Sequence, residues 1–181
     1  MLPKDARVIE YGGASGVLLA FGKSELVRTA VKADCTIELV AQVGDFVSRG
    51  DPLFRICPAD RLINDKALHH AVALGPERTL QQDPAFAFRI MVDIASRALS
   101  PAINDPTTAV MATDQIHRLL RWVGSRQLDS GMNCDSEGKL RLIVPTPKWE
   151  DFVSLAVSEI RLFGAGSLQV PRRLRAPCWS T

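Results

Sequence analysis

Apolar residues follow one period in the first third of the chain and another in the remainder, with the change near residue 58. Residues 7–21 and 36–43 loosely alternate apolar and polar positions, which predicts strands. Residues 23–32 instead space their apolar positions at helical intervals, and Ser24 is expected to cap that short helix. Residues 1–58 are therefore predicted to form a small β-rich module with one short helix.

A glycine-bounded turn at residues 44–53 resembles the turn of barrel-sandwich domains, such as the biotinyl and lipoyl carriers. Gly44 and Gly50 suit the positive φ angles of a tight hairpin, and Val47 and Leu53 are expected to fill the core. A carrier also needs an exposed lysine at a second hairpin tip, and no lysine stands in a matching context. The prediction is a β-module without a prosthetic group, so no cofactor is expected.

Helical periodicity dominates from residue 59 onward. Amphipathic or largely apolar patterns predict helices at residues 60–74, 84–99, 106–122 and 149–163. Residues 84–99 are apolar around most of the circumference, which predicts a central position, and they form an αα-hairpin with residues 106–122. The fold class is therefore predicted to be α+β, with the β-rich module packed against a helical unit at residues 59–181.

The helical unit is also predicted to contain a polar loop, a short strand and a basic tail. Residues 125–138 are polar and predict a loop, whereas residues 139–144 alternate and predict a short strand. Arg172, Arg173 and Arg175 form a small basic tail, which is either solvated or in contact with anionic lipid.

Composition and charge narrow the class of protein. The chain has 181 residues, 46% of them hydrophobic, and a formal net charge of +2, which argues against disorder and against nucleic acid as the main partner. No stretch reaches the roughly 18 uncharged apolar residues that a membrane span needs, so the chain as given is predicted to be soluble.

The cysteines and histidines predict no metal site. Their spacings match no zinc pattern, and the cysteines are expected to be free thiols in a reducing, cytoplasmic compartment. The cysteines are Cys35, Cys57, Cys134 and Cys178, and the histidines are His69, His70 and His117. His117 is expected on a solvated or interface side of its helix.

A charged stripe lies on the first helix of the predicted hairpin. Arg89, Asp93 and Arg97 are spaced i, i+4 and i+8, so one carboxylate lies between two guanidinium groups. Burying these charges without partners would cost on the order of several kcal/mol for each ion. The stripe is therefore expected to face a polar crevice, another polar element or a subunit interface.

The connection at residues 100–105 allows three interpretations. It is a stiff corner, in which Asn104 adopts a left-handed conformation and Asp105 caps the next helix. It is a site for a small anionic ligand, with Thr107 and Thr108 near Arg97. Or it is catalytic, with Asp93 or Asp105 as general base and Ser100 or a threonine as nucleophile, although no histidine lies close in sequence to activate a hydroxyl.

The candidate ligand-binding residues follow from these interpretations, while no catalytic residue can be assigned. They are Arg89, Asp93, Arg97, Ser100, Asn104, Asp105, Thr107 and Thr108.

The run at residues 92–110, VDIASRALSPAINDPTTAV, resembles the central motif of domain-of-unknown-function family 2254, a family of bacterial predicted membrane proteins. Residues 44–53, 78–83 and 169–174 also resemble segments of that family. The resemblance implies that full-length relatives carry an N-terminal block of inner-membrane helices before a soluble region like this one. The chain is therefore expected to be the excised soluble domain or a truncated product, with the full-length protein attached to the membrane through that block. The family supplies no activity or catalytic residue.

The leading hypothesis is a ligand-binding or assembly module of a membrane protein that forms a homo-oligomer through its long apolar helices. The alternatives are an enzyme of unknown reaction with its site between Asp93 and Thr108, and a sensory domain that binds a small ligand without turnover.

Overall fold

The chain folds into two compact units, which we call the β unit and the helical unit. The structure, a computed structural model, describes residues 2–3 and 5–175. The β unit comprises residues 1–83 and 129–146, and the helical unit comprises residues 84–128 and 147–181. This division does not coincide with the one expected near residue 58, because later segments supply strands to the sheets of the first unit.

Two open sheets and two helices make up the described part of the β unit. The strands are β1 (Arg7–Glu10), β2 (Gly16–Phe21), β3 (Thr36–Leu39), β4 (Phe46–Val47), β5 (Pro52–Cys57), β6 (Val72–Gly75), β7 (Met132–Cys134) and β8 (Leu140–Ile143), and the helices are α1 (Lys23–Lys32) and α2 (Asp65–His70). One sheet has the order β1-β5-β3-β8-β7 and the other β4-β2-β6. Only β3 and β8 run parallel among these pairs. The α+β class is confirmed, whereas the barrel-sandwich likeness is not, because neither sheet closes into a barrel.

The turn between β3 and β5 has the predicted backbone. Gly44 and Gly50 have φ angles of 95° and 91°, and the side chains of Val47 and Leu53 are buried in the core of the β unit. That core consists mainly of branched aliphatic side chains on both sheets and on α1. Its fully buried members include Leu18, Leu26, Ile37, Leu39, Leu53, Phe54, Ile56 and Leu142.

Three local predictions for the β unit are wrong. Of residues 60–74, only α2 is helical, because the residues after it form β6 and pair with β2, with Val72 opposite Phe21. The polar loop predicted at residues 125–138 contains β7, which pairs with β8. Helix α1 begins after Gly22 without a side-chain cap, so Ser24 lies inside the helix rather than at its cap.

A buried arginine ties the β7–β8 hairpin to the end of α1. Arg141 is almost fully buried, and its guanidinium donates to Asp135 at 2.6 Å and to Asp34 at 2.9 Å. Asp34 also accepts from Lys139, and these two hydrogen bonds hold the pKa of its carboxyl at about 2. Sequence reasoning missed this cluster because Asp34 lies more than 100 residues before Lys139 and Arg141.

We expect this cluster to make the free energy of unfolding of the β unit fall at acidic pH. The pKa of Asp34 is depressed in the folded state, so its contribution is complete above about pH 4 and is lost as the pH falls toward 2. Asp34→Asn removes that contribution at neutral pH, and its melting temperature will fall less than that of the wild type between pH 4 and pH 2. Calorimetry across this range measures the difference, and parallel pH profiles for the two proteins would contradict it.

The described helical unit contains four helices, and its αα-hairpin is confirmed. They are α3 (Pro84–Ala98), α4 (Pro106–Gly124), α5 (Trp149–Phe163) and α6 (Gln169–Leu174). Helix α3 packs against α4 and α5 through Phe88, Val92 and Ala95. It is less enclosed than its composition predicted, because Ile94 is 42% exposed. No helix among the described residues is both long enough and apolar enough to cross a bilayer.

Candidate functional site

The corner between α3 and α4 is a tight turn organised by backbone hydrogen bonds. The carbonyl oxygen of Ser100 accepts from the amides of Ile103 and Asn104, and the amide of Asp105 donates to Ala98 at 2.8 Å. Asn104 has a φ of 47°, which is the left-handed conformation expected for it. The corner therefore holds the start of α4 in a fixed position against the end of α3.

Asp105 is the N-cap of α4. One of its carboxylate oxygens accepts from the amides of Thr107 and Thr108, each at 3.1 Å, and the other accepts from the hydroxyl of Thr108 at 2.5 Å. The hydroxyl of Thr108 and these amides lower the pKa of Asp105. Both amides therefore already donate to a carboxylate of the chain itself, so they are not free to bind an external anion.

The predicted Arg89–Asp93–Arg97 ladder does not form as one set. Arg89 makes its ion pair with Glu159 on α5, at 2.6 Å. Asp93 and Arg97 are exposed, and neither makes an ion pair within residues 2–3 and 5–175. Two opposite charges one turn apart on α3 therefore remain available at the surface.

A shallow groove of about 350 Å³ runs along α3 beside the corner, and we call it the corner groove. Its polar lining comes from Asp93, Arg97, Asp105 and Thr108. The apolar lining is aliphatic and consists of Ile90, Ile94, Ala98 and Ile103, of which Ile94 and Ile103 are exposed. Ile103 is 54% exposed, so the groove combines unpaired charge with uncovered apolar surface.

Four of the eight predicted site residues thus meet in the corner groove, and four do not line it. Ser100 and Asn104 shape the turn through their backbones, Thr107 contributes its amide to the cap, and Arg89 pairs with α5. Ile90, Ile94 and Ala98 were missed as site residues because their four-residue spacing is that of an ordinary buried helix side. Exposure, which the sequence does not give, separates Ile94 from Val92.

His117 lies elsewhere on α4 and is buried, so of the two expected positions, on a solvated or an interface side of the helix, the solvated one is wrong. Burial lowers the pKa of its imidazole, and nearby Arg173 lowers it further. Arg173 itself is ion-paired with Asp114. Among the described residues, no three histidine, cysteine or carboxylate side chains come together as they would around a metal ion. Cys35, Cys57 and Cys134 are free thiols, as predicted, while Cys178 lies outside the described residues.

We expect Asp105→Ala to lower the melting temperature of the helical unit, because the first amides of α4 lose their acceptor. Asp105→Ser restores most of the stability, since a hydroxyl also caps a helix, so thermal unfolding of the three proteins separates capping from any other role. A serine variant as unstable as the alanine variant would contradict the cap as the main role of this side chain.

Comparison with known proteins identifies relatives over almost the whole chain. The family model described as "Predicted membrane protein (DUF2254)" matches residues 1–178. Uncharacterized proteins of Mycobacterium bovis and Mycobacterium tuberculosis are each 35% identical over 158 residues, covering 83% of this chain and 30% of the relative. The chain thus spans less than a third of the length of these relatives. No solved structure matches.

Proposed function

Because this chain belongs to a family of predicted membrane proteins, DUF2254, we propose that it is an assembly module of such a protein, and that the corner groove binds a second copy of the chain. The observation that carries the proposal is the coexistence, on one exposed strip of α3, of unpaired opposite charges and uncovered isoleucines. Apolar side chains are unfavourable in water, so a contact that covers the isoleucines and pairs each charge with an opposite one is favourable.

The order of the charges on α3 fits a two-fold partner. Asp93 and Arg97 are four residues apart, about 6 Å along the helix axis. If two copies of α3 run antiparallel with the axis level with position 95, Asp93 of each copy faces Arg97 of the other. A two-fold contact uses the same patch on both copies, so each ion pair occurs twice.

The other hypotheses for the corner have less support. A general base that works near neutral pH needs a pKa close to that pH, whereas the pKa of Asp105 is lowered. A small anion at the start of α4 would have to displace Asp105 from the amides of Thr107 and Thr108. Assembly needs neither step, because it uses only side chains that are already exposed.

We also propose that this region lies on the cytoplasmic side of an inner membrane. Support comes from the three free thiols among the described residues, which suit a reducing compartment.

Sedimentation equilibrium tests the assembly proposal on the chain as it stands. We expect the wild-type chain to dimerise, and Ile94→Asp to raise the dissociation constant of the dimer about tenfold or more, because it places a second acidic charge beside Asp93 in the apolar centre of the contact.

Val31→Asp is the matched control, since Val31 lies on α1 of the β unit and is 43% exposed, almost the same as Ile94. This variant is expected to dimerise like the wild type. A wild-type chain that stays monomeric at the highest soluble concentration, or equal weakening by the two substitutions, would overturn the proposal.

A further inference from the structure

The end of the helical unit carries positive charge without any acidic residue. From residue 160 to the end of the chain there are four arginines and no aspartate or glutamate. Arg173 is engaged by Asp114 on α4. Arg161, Arg172 and Arg175 are exposed, and none of them has an ion-pair partner in the part of the chain that the structure describes. Three guanidinium groups are therefore available to an external anion.

Large apolar side chains are exposed in the same stretch. Leu162 is 74% exposed, Phe163 is 50% exposed, and Leu168, in the connection between α5 and α6, is 78% exposed. Leu162 and Phe163 directly follow Arg161, and Leu168 lies four residues before Arg172, with small residues such as Gly164 and Gly166 in between. Isolated apolar residues are common on protein surfaces, but a cluster flanked by unpaired basic side chains is typical of a contact surface.

A groove between α5 and α6 lies beside two of these arginines. It has a volume of about 490 Å³, and Arg161 and Arg175 contribute to its lining. Its other walls are almost entirely apolar and consist of Val153, Val157, Ile160, Gly164, Val170, Pro171 and Leu174. A partner that fits must therefore offer aliphatic chains and a negative charge close together.

We propose that this surface, which we call the arginine-rimmed groove, binds the face of an anionic phospholipid bilayer. Arg161, Arg172 and Arg175 contact the phosphate groups, while Leu162, Phe163 and Leu168 enter the boundary between headgroups and acyl chains. Basic side chains near an anionic bilayer contribute electrostatic attraction, and apolar side chains that leave water add to it. Membership of a family of predicted membrane proteins makes a bilayer the anionic and apolar surface that such a region meets.

This inference does not depend on assembly through the corner groove, because it uses none of the same residues. An acidic protein segment would also match the arginines, but the protruding leucines and phenylalanine favour a surface that they can penetrate. The chemistry at the guanidinium groups is that of a phosphate, so the test must separate a bilayer from free inorganic phosphate.

Flotation with vesicles provides the test, using the whole chain. We expect binding to vesicles of phosphatidylcholine and phosphatidylglycerol and little binding to phosphatidylcholine alone. Arg172→Gln weakens partitioning about fivefold, the effect of about one basic residue near the headgroups. Leu168→Ser weakens it as well, and Arg118→Gln on α4 and Leu62→Ser in the β unit, both exposed, are the controls that leave binding unchanged.

Three results would overturn the proposal. One is equal binding to the anionic and the neutral vesicles, or binding to neither. Another is equal weakening by Arg172→Gln and Arg118→Gln, which would assign the attraction to overall charge. The third is full competition by inorganic phosphate at constant ionic strength together with no effect of Leu168→Ser, which would assign the site to a free phosphate. Circular dichroism of each variant confirms that it is folded before it is compared.

Discussion

Replacing Phe88 with alanine is expected to lower the free energy of unfolding of the helical unit by about 3–5 kcal/mol. Phe88 lies on the buried side of α3, and its ring centroid is 5.3 Å from that of Phe152 on α5, with the ring planes inclined at 49°. Alanine removes the apolar area and the aromatic contact and leaves a cavity between two helices that cannot fully close. Because α3 also carries the corner groove, the same change is expected to weaken self-association.

Chemical denaturation followed by tryptophan fluorescence measures this effect. Trp122 lies on α4 and Trp149 on α5, so their fluorescence reports on the helical unit. Phe163→Ala is the matched control, since Phe163 lies on α5 and is half exposed; its substitution should cost less than half as much. If the two substitutions shift the transition equally, Phe88 is not the centre of the core that positions α3.

Gly131→Ala is expected to lower the free energy of unfolding of the β unit by about 2–5 kcal/mol. Gly131 precedes β7 with a φ of 74°, a left-handed conformation that disfavours any side chain. A β-carbon there would also meet the carbonyl oxygen of Val144, a backbone atom that cannot rotate away. The amide of Val144 donates to Gly131 at 2.8 Å, so relief of the clash breaks the end of the β7–β8 pairing.

Gly138→Ala separates the two causes. Gly138 has a nearly equal φ of 80°, but a β-carbon at that position meets no atom within 4 Å. It should therefore show the cost of the left-handed backbone alone, about 1–2 kcal/mol. Denaturation measured by circular dichroism, with amide hydrogen exchange at Val144, compares the variants. Equal costs at the two glycines would show that close approach to Val144 has no part in fixing the hairpin.

The elements that the sequence predicted well are those with a local cause. A few adjacent residues determine the conformation of the corner between α3 and α4, because Asn104 tolerates a left-handed φ and Asp105 accepts hydrogen bonds from the amides that follow it. The turn around Gly44 is of the same kind. Such features need no knowledge of the rest of the fold, so position and conformation follow from residue type.

The predictions that were wrong concern elements whose structure depends on partners distant in sequence. Residues 72–75 carry a pattern that suits a helix as well as a strand, and pairing with β2, some 50 residues earlier, decides the outcome. The stripe that contains Arg89 was expected to face a polar crevice, another polar element or a subunit interface, and the partner of Arg89 is Glu159, which is 70 residues away. The sequence also could not predict which side of α3 stays exposed, since Ile94 and Val92 are similar residues in different surroundings.

The direct test of assembly through the corner groove is an exchange of charges. Sedimentation equilibrium compares Asp93→Arg, Arg97→Asp and the double variant that carries both changes. Each single variant brings like charges together across the two-fold contact, so both are expected to be monomeric at concentrations where the wild type is a dimer. The double variant restores opposite charges and is expected to dimerise again. A double variant as monomeric as the singles, or single variants that dimerise like the wild type, would contradict the account.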